Sequence, residues 1–337
     1  MGRRKKHAPK RGSLAFLPRG RAASPIGKIG HWPDYTGDKP ILLGFAGFKA
    51  GMTHVYMIDD YERSPRYGSE KFVPVTVLEV PPAVLCGIRA YRSTNKGLLS
   101  LTETWMKDSP NDLYRLLTLP DEFYTDEKLK TIESSIDTVS EFRAILCIQP
   151  RQASISQKKP ILMEVKVDGG TIKEQFEYLK EKLGEEIHST EIFSNGQFID
   201  VISITKGKGF QGPVKRWGIK KLHHKSNKTV RGVGSIGPWN PHYVMYSVPR
   251  AGQMGFHQRT EFNKRIVNLG SNIEEVNIAG GFPRYGLVKS GYVLLAGSIP
   301  GSTGRLVKLR YPTRKSKKQS DSPPRITHIE LKHTEVA

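Results

Sequence analysis

Short runs of apolar and β-branched residues, separated by glycines and polar turns, recur through most of this 337-residue chain. Such runs predict β-strands, and short strands with frequent glycine favour a small closed β-barrel over a parallel α/β sheet. Gly51 and the pair Asp59-Asp60 suit hairpin turns. The predicted strands span residues 41–46, 53–58, 73–80, 84–88, 144–148, 161–167, 198–204, 276–279, 292–297 and 306–309.

Helical spacing of apolar residues is confined to residues 101–200. Thr171 predicts an N-cap, because Glu174 follows three residues later and an apolar stripe begins between them. Thr125 predicts the start of a second helix, and Asn111 or Asp112 suits the cap of a third. The fold class predicted is therefore mainly β with an α insert (α+β).

Charge is distributed unevenly along the chain, whose net charge is +21. Residues 101–200 hold nineteen Asp and Glu against twelve Lys and Arg, so the insert is acidic. Residues 1–28 hold nine basic residues and residues 305–319 hold seven, and neither segment contains an acid. From Thr205 to Arg265 there are thirteen Lys and Arg and one acid, Glu261.

The basic stretches predict binding to RNA. Repeated phosphate charge would neutralise them, and the interspersed aromatic rings could stack on unpaired bases. We expect these stretches to become ordered by binding, since they offer little apolar surface to offset ordering entropy. The candidate RNA-binding residues are Arg3, Arg4, Lys5, Lys6, Lys10, Arg11, Arg19, Arg21, Lys206, Lys208, Lys215, Arg216, Trp217, Lys220, Lys221, His223, His224, Lys225, Lys228, Arg231, Trp239, Arg250, Gln253, His257, Arg259, Lys264 and Arg265.

Two tryptophans of the basic stretch have two interpretations each. Trp239 stands between Pro238 and Pro241 and adjoins no apolar run, which favours a ring exposed at a loop tip. Tryptophan is nevertheless mostly buried in proteins, so a core position is the alternative. Trp217, beside Arg216, has the same two alternatives.

Enzyme, cofactor and metal sites are not expected. Gly207–Gly212 matches G-x-G-x-x-G, but a dinucleotide site needs a helix at once and an acid about 20 residues later. Pro213 and Gly218 argue against a regular helix, so a turn that approaches RNA phosphates, or a plain flexible turn, fits better. A second hypothesis, an RNA-modifying enzyme, requires carboxylates or cysteines near this turn, and none occurs there.

Other partners and compartments follow from composition. No apolar run approaches a membrane-spanning length, so nucleic acid is favoured over a membrane as the partner of the positive charge. The histidines lack the spacing of metal ligands. Cys86 and Cys147 each lie in an apolar run, which indicates two reduced, buried thiols in a cytosolic protein.

Four stretches resemble a known family. Val248–Lys264, Arg11–Arg19, Gly44–Thr53 and Gly297–Gly301 are similar, in this order, to the universal large-subunit ribosomal protein L-three family in its archaeal and eukaryotic form. The resemblance implies a translation-protein-type β-barrel with a helical insert, on the solvent side of the large subunit. It also implies a role in early subunit assembly, a cytoplasmic ribosomal location, and rRNA and neighbouring ribosomal proteins as partners, with no membrane and no small-molecule substrate.

The same resemblance implies that the N-terminal tail and a long central loop run through rRNA toward the peptidyl-transferase centre. Gly237, Trp239 and Asn240 then form the loop tip close to the catalytic RNA. Two departures from the eukaryotic pattern occur. Asn227 stands where those members have a histidine that can be methylated, and Asn240 replaces another histidine, so neither imidazole carries over.

The predicted organisation has seven segments. They are a basic N-terminal extension (1–38), the first part of the barrel (39–100), the acidic insert (101–197), a barrel strand with the glycine-rich turn (198–214), the basic central loop (215–262), the last part of the barrel (263–312) and a C-terminal tail (313–337).

Overall fold

The computed structural model describes residues 11–120, 123–314 and 322–331. The chain divides into two compact units. One unit, which we call the basic unit, is Met1–Pro25 with Ile204–Arg259. The other, the sheet unit, is Ile26–Ser203 with Thr260–Ala337.

The described residues form mostly antiparallel strands with few helices, as the predicted mainly-β class requires. The strands are β1 (Ile41–Leu42), β2 (Gly44–Ile58), β3 (Glu70–Glu79), β4 (Ala83–Thr94), β5 (Gly97–Trp105), β6 (Glu141–Ile148), β7 (Ile161–Asp168), β8 (Glu186–Ile187), β9 (Phe198–Ile204), β10 (Phe210–Gln211), β11 (Gly252–Gln253), β12 (Gln258–Gly270), β13 (Tyr292–Ala296), β14 (Leu306–Arg310) and β15 (Ile326–Ile329). The α-helices are α1 (Thr125–Ser134), α2 (Ile172–Glu181), α3 (Ser189–Ile192) and α4 (Pro213–Trp217).

Two sheets build the sheet unit. The first has the order β1-β7-β6-β4-β5, with β8 beside β4. The second has the order β14-β9-β12-β13-β3-β2-β15. Because β14 also pairs with β2, the six strands from β14 to β2 form a closed circuit of pairings, and β15 is paired outside it. Strands β4 and β5 pair in the first sheet, although residues 39–100 are predicted as one part of the barrel. One apolar core, which includes Phe45, Leu78 and Phe142, serves strands of both sheets.

The predicted hairpin turn at Gly51 is wrong. Strand β2 continues through this position, with a shift of register against β3 between Lys49 and Gly51. A Cβ at position 51 would overlap the ring of Phe282, so glycine is required there by close packing. The glycine therefore marks an irregularity inside a long strand.

The predicted strand at 276–279 is also absent. A 3-10 helix, Ile273–Glu275, precedes it, and the Asn277 side chain accepts from Val288 N at 2.8 Å and donates to Val288 O at 3.0 Å. Val276 and Ile278 are buried, so their apolar character reports burial without strand pairing. Conversely, β5 escaped prediction because its exposed, polar-rich sequence lacks an apolar run.

The predicted helices of the insert are largely confirmed. The Thr171 side chain accepts from Glu174 N and the Glu174 carboxylate accepts from Thr171 N, which forms a complete capping box for α2. Helix α1 begins at Thr125, as predicted. The third stretch, Asn111–Arg115, is a 3-10 helix capped at Pro110, so neither Asn111 nor its neighbour is the cap.

The two cysteines are free and buried, as predicted. Cys86 lies on β4 and Cys147 on the neighbouring β6. The hydrogen bond to Cys147 and the burial of both thiols raise the pKa of Cys86. The same hydrogen bond lowers the pKa of Cys147. Cys86 therefore stays protonated as a small apolar core group.

Candidate nucleic-acid interface

The net positive charge of the chain lies almost entirely in the basic unit. This unit holds nineteen of the 53 Lys and Arg residues and none of the 32 Asp and Glu. The sheet unit keeps the other 34 basic residues and all 32 acids, a balance of only +2. Because no carboxylate side chain belongs to the basic unit, none of its cations can be neutralised within it. An external polyanion is the natural counter-charge.

A short helix stands at the base of the central loop. The prediction that Pro213 and Gly218 exclude a helix is wrong for one turn, since α4 begins at Pro213 and ends at Gly218, whose φ is 63°. Proline suits the first position and glycine the left-handed cap. The motif Gly207–Gly212 is thus followed by five helical residues, but the chain still has no acid before Glu261.

Trp217 closes this helix and is a core residue. Its side chain is 7% exposed, and its Nε1–H donates to Arg250 O at 2.9 Å. Ile219, 4% exposed, is buried nearby in sequence. Of the two alternatives for Trp217, the buried one holds. The base of the loop therefore has apolar burial that the sequence interpretation did not predict.

Arginines tie separate segments to this tryptophan. The Arg19 guanidinium lies 3.8 Å from the Trp217 ring centroid, and its Nη1 donates to Arg216 O at 3.3 Å. The Arg216 side chain donates to Gln253 O at 2.9 Å and to Arg250 O at 3.0 Å. We call the set formed by Arg19, Arg216 and Trp217 the arginine clamp. It joins segment 11–20, helix α4 and segment 250–253.

Gly12 makes room for the arginine clamp. Its φ is +74°, and a Cβ there would lie 2.7 Å from Arg19 Nη2 and 3.4 Å from the Trp217 ring. Any larger residue would push on the stacked guanidinium. Sequence reasoning missed this glycine because its role depends on a contact far along the chain.

The glycine-rich turn is held by main-chain pairing. Strand β10 pairs with β11, Phe210 opposite Gln253. Lys208 N donates to Met254 O and Met254 N donates to Gly209 O, each at 2.9 Å. Lys206 and Lys208 are exposed at this turn. Paired backbone therefore fixes a turn whose two lysine side chains are exposed.

His257 acts as an uncharged anchor. Its Nδ1 lies 2.7 Å from Gly20 O, and its backbone N–H donates to Thr205 Oγ1 at 3.1 Å. Burial lowers the pKa of His257, and the nearby Arg259 and Arg19 cations lower it further. The imidazole is therefore neutral near pH 7 and holds the N-terminal segment by hydrogen bonding. Arg259, in turn, lies 4.5 Å from the Phe16 ring centroid.

Most other predicted residues of the basic unit are exposed, whereas Arg19, Arg216, Gln253 and Arg259 are half-buried. An exposed charged or aromatic side chain can contact a ligand without unfolding the base of the central loop. These exposed residues are Arg11, Arg21, Lys206, Lys208, Lys215, Lys220, Lys221, His223, His224, Lys225, Lys228, Arg231, Trp239 and Arg250. The predicted residues Arg3, Arg4, Lys5, Lys6 and Lys10 lie outside the described residues.

Trp239 is the exposed tryptophan. Its side chain is 83% exposed, and its only ring neighbour among the described residues is His242, edge-on at 5.4 Å. Tyr243 and Tyr246 are 69% and 74% exposed. The core alternative therefore fails for Trp239, which lies with two other open rings in one stretch of loop.

Two predicted residues lie in the sheet unit and have acidic partners. Lys264 Nζ lies 2.8 Å from Glu261 Oε2. Arg265 donates Nη1 to Asp60 Oδ1 at 2.9 Å, and its other Nη contacts the second oxygen. Because both cations are already paired with carboxylates, we expect them to attract an anion less strongly than the cations of the basic unit do.

The described residues contain no helix that is long and apolar enough to cross a membrane. Within the same residues, no group of three or more His, Cys, Asp and Glu side chains could hold a metal ion.

Comparison with known proteins agrees with this geometry. The family model described as ribosomal protein L3 matches residues 1–336. The large ribosomal subunit protein uL3 of Methanothermobacter thermautotrophicus is 47% identical over 322 residues, which cover 94% of this chain and 95% of the relative. The uL3 protein of Archaeoglobus fulgidus is 48% identical over 94% of this chain and 95% of the relative. The uL3 protein of Methanopyrus kandleri is 44% identical over 97% of this chain and 91% of the relative. The chain therefore belongs to the ribosomal protein L3 family, a family of structural, non-enzymatic proteins of the ribosome.

Proposed function

We propose that this chain is a structural constituent of the large ribosomal subunit and binds large-subunit rRNA through its basic unit. The observation that carries the proposal is the exclusion of acids from the basic unit, which holds nineteen Lys and Arg and none of the 32 acids. A polyanion that surrounds a segment with this composition would neutralise cations that have no carboxylate in the same unit, and would so stabilise the segment. Neighbouring ribosomal proteins in the cytoplasmic ribosome would be the other partners.

Residues of the basic unit divide into two roles. The arginine clamp and His257 use their donors and rings on the protein itself, so they set the shape of the base. Exposed lysines such as Lys220, Lys221 and Lys225 would present their ammonium groups to phosphates. Each neutralised phosphate releases counterions and makes binding salt-dependent, with a slope of about 0.7–0.9 per contact.

The loop tip is the part we propose to lie near the peptidyl-transferase centre. Gly237, Trp239 and Asn240 form this tip, and the 83% exposure of Trp239 leaves its ring free to stack on a base. The closed strand pairing through β14 and β2 supports a translation-protein-type barrel, which would stay outside while the basic extensions enter rRNA. Such threading would support early assembly of the subunit.

Salt-dependent RNA binding tests the proposal. We would measure affinity of the full chain for large-subunit rRNA across a salt series, by filter binding. Replacing the exposed residues Lys220, Lys221 and Lys225 together by Gln should reduce the slope of log K against log salt by about 2–3, since each phosphate contact contributes about 0.7–0.9.

The matched control removes equal charge from the sheet unit. The triple replacement of Lys96, Lys130 and Lys173 by Gln also removes three exposed lysines. This variant should retain the wild-type slope. Equal losses in both triple variants, or undiminished affinity after deletion of residues 215–262, would contradict an interface in the basic unit.

A further inference from the structure

Two loops of the sheet unit form an open groove of about 730 Å³ whose lining contains no acidic residue. The first loop, 149–160, joins β6 to β7, and the second, 282–290, precedes β13. We call this site the loop groove. The sequence prediction of RNA-binding residues included none of its cations, because the two loops are far apart in the chain. The cations that line it are Arg151, Lys158 and Lys289.

A buried carboxylate holds the two loops together. Glu79, at the end of β3, is fully buried, and its Oε2 accepts from Ser154 N at 3.0 Å. Its Oε1 accepts from Lys289 N at 2.6 Å. The Tyr285 hydroxyl also donates to Glu79, and the Ser154 hydroxyl donates to Leu287 O. Because these donors come from both loops, contacts within the protein hold the groove in shape.

Positive charge predominates in the loop groove. Lys158 and Lys289 are exposed, and neither forms an ion pair within the part of the chain that the structure describes. Arg151 Nη2 lies 3.0 Å from Asp112 Oδ1. The two loops hold five cations and no acid, so three positive charges remain in excess after Asp112 and the buried Glu79 are counted. The sheet unit as a whole has a balance of only +2, so this surface concentrates a charge that the unit elsewhere cancels.

Arg284, in the second loop, has a backbone conformation that disfavours arginine. It follows Pro283 in a turn that Tyr285 N closes by donating to Phe282 O at 3.0 Å, and its φ is 65°. A turn with proline followed by a residue of positive φ usually has glycine at that second position. The Arg284 side chain is exposed and has no ion-pair partner among the described residues. Strain at such a residue indicates that its side chain has a function.

The other groups of the loop groove suit the sugar–phosphate backbone of RNA. Phosphate oxygens accept hydrogen bonds from Lys and Arg and also from Ser and Gln side chains. Ser156 and Gln157 line the groove and are exposed beside Lys158. Tyr285 is the one aromatic residue of the described lining, and it is 9% exposed with its hydroxyl bonded to Glu79. The groove therefore offers donors for phosphates and no open ring for base stacking.

We propose that the loop groove is a second rRNA contact, in which Lys158, Arg284 and Lys289 bind phosphates of large-subunit rRNA. The inference rests on the proposed function and extends RNA binding to a surface of the sheet unit. Binding there would be independent of base sequence, because the groove presents cations and hydroxyl donors to the RNA backbone.

Salt-dependent binding of the full chain to large-subunit rRNA, measured by filter binding, tests the proposal. Replacing Lys158, Arg284 and Lys289 together by Gln should reduce the slope of log K against log salt by about 2–3, since each phosphate contact contributes about 0.7–0.9. The triple replacement of Lys96, Lys130 and Lys173 by Gln removes the same charge from exposed positions of the sheet unit and should keep the wild-type slope.

A wild-type slope in the groove variant would overturn the proposal. The proposed function would still stand if replacement of Lys220, Lys221 and Lys225 lowered the slope, so the two failures are distinguishable. Polyglutamate is the competing probe. A groove variant that loses affinity for polyglutamate but keeps its slope with rRNA would also overturn the proposal, and would assign the groove to an acidic protein segment.

Replacement of Arg284 separates its charge from its backbone strain. Arg284→Gly should reduce the slope by about 0.7–0.9 and leave the thermal midpoint unchanged or higher, because glycine adopts positive φ readily. Arg284→Lys keeps the charge and should keep the wild-type slope. A wild-type slope in Arg284→Gly, or a lower thermal midpoint in that variant, would contradict a strained residue whose side chain binds RNA.

Discussion

The replacement Trp217→Ala examines whether the arginine clamp organises the basic unit. The change removes a ring that is 7% exposed, its hydrogen bond to Arg250 O and the surface on which Arg19 stacks. It removes no charge. Any loss of RNA affinity would therefore come from altered shape.

The expected loss of local stability is large. Truncating a buried tryptophan to alanine costs about 3–5 kcal/mol. Within that sum, the Nε1–H bond contributes about 1 kcal/mol and the stacked guanidinium about 0.5–2 kcal/mol. Trp217→Phe keeps a ring under Arg19 and loses the hydrogen bond, so it should cost only about 1–2 kcal/mol.

Native-state hydrogen exchange measures this effect where it occurs. The amides of Gly218 and Met254, which donate to Val214 O and Gly209 O, should exchange about a hundredfold faster or more in Trp217→Ala. Amides of the sheet unit, such as Leu43, should keep their rates. Affinity for rRNA should fall although every cation is retained.

Two outcomes would refute this reasoning. Unchanged exchange at Gly218 and Met254 would mean that the clamp does not stabilise the base of the loop. Equal acceleration at Leu43 would mean that Trp217 belongs to a core shared by the whole protein. The exposed Trp239, replaced by alanine, is the matched control and should leave all three amides unchanged.

Two further predictions concern other residues. Trp239→Ala should leave the thermal midpoint unchanged but alter peptidyl transfer or drug response in reconstituted large subunits; a matching loss of melting temperature would mark Trp239 as core. Lys308 is 9% exposed, and burial lowers its pKa from the ordinary 10.5 to about 8. Between these values the unfolded chain binds more protons than the folded one, so stability should rise from pH 8 to pH 10.5. Lys308→Met should remove that rise and stabilise the protein at pH 7, as judged by denaturant unfolding; a rise that persists in the variant would assign it to other groups.

Local sequence patterns located secondary-structure elements correctly where the interactions that form the element lie within a few residues. The capping box of α2 lies within four residues, from Thr171 to Glu174, so sequence alone locates the helix start. Apolar runs located strands such as β6, β7, β9, β13 and β14. Val276–Ala279 failed because an apolar run reports burial, and burial does not require strand pairing.

The sequence by itself determined which stretches exclude acids, since the positions of acids and bases along the chain need no coordinates. Long-range contacts decided the rest. Trp217 and Trp239 both lie in the basic central loop and both have a glycine within two residues, yet of these two only Trp217 is covered, by Arg19 from a segment nearly two hundred residues earlier. Likewise, Gly51 is required by the ring of Phe282, and the rings of Tyr56 and His328 lie near each other only because β15 pairs with β2. Packing partners come from distant parts of the chain, and local sequence does not contain them.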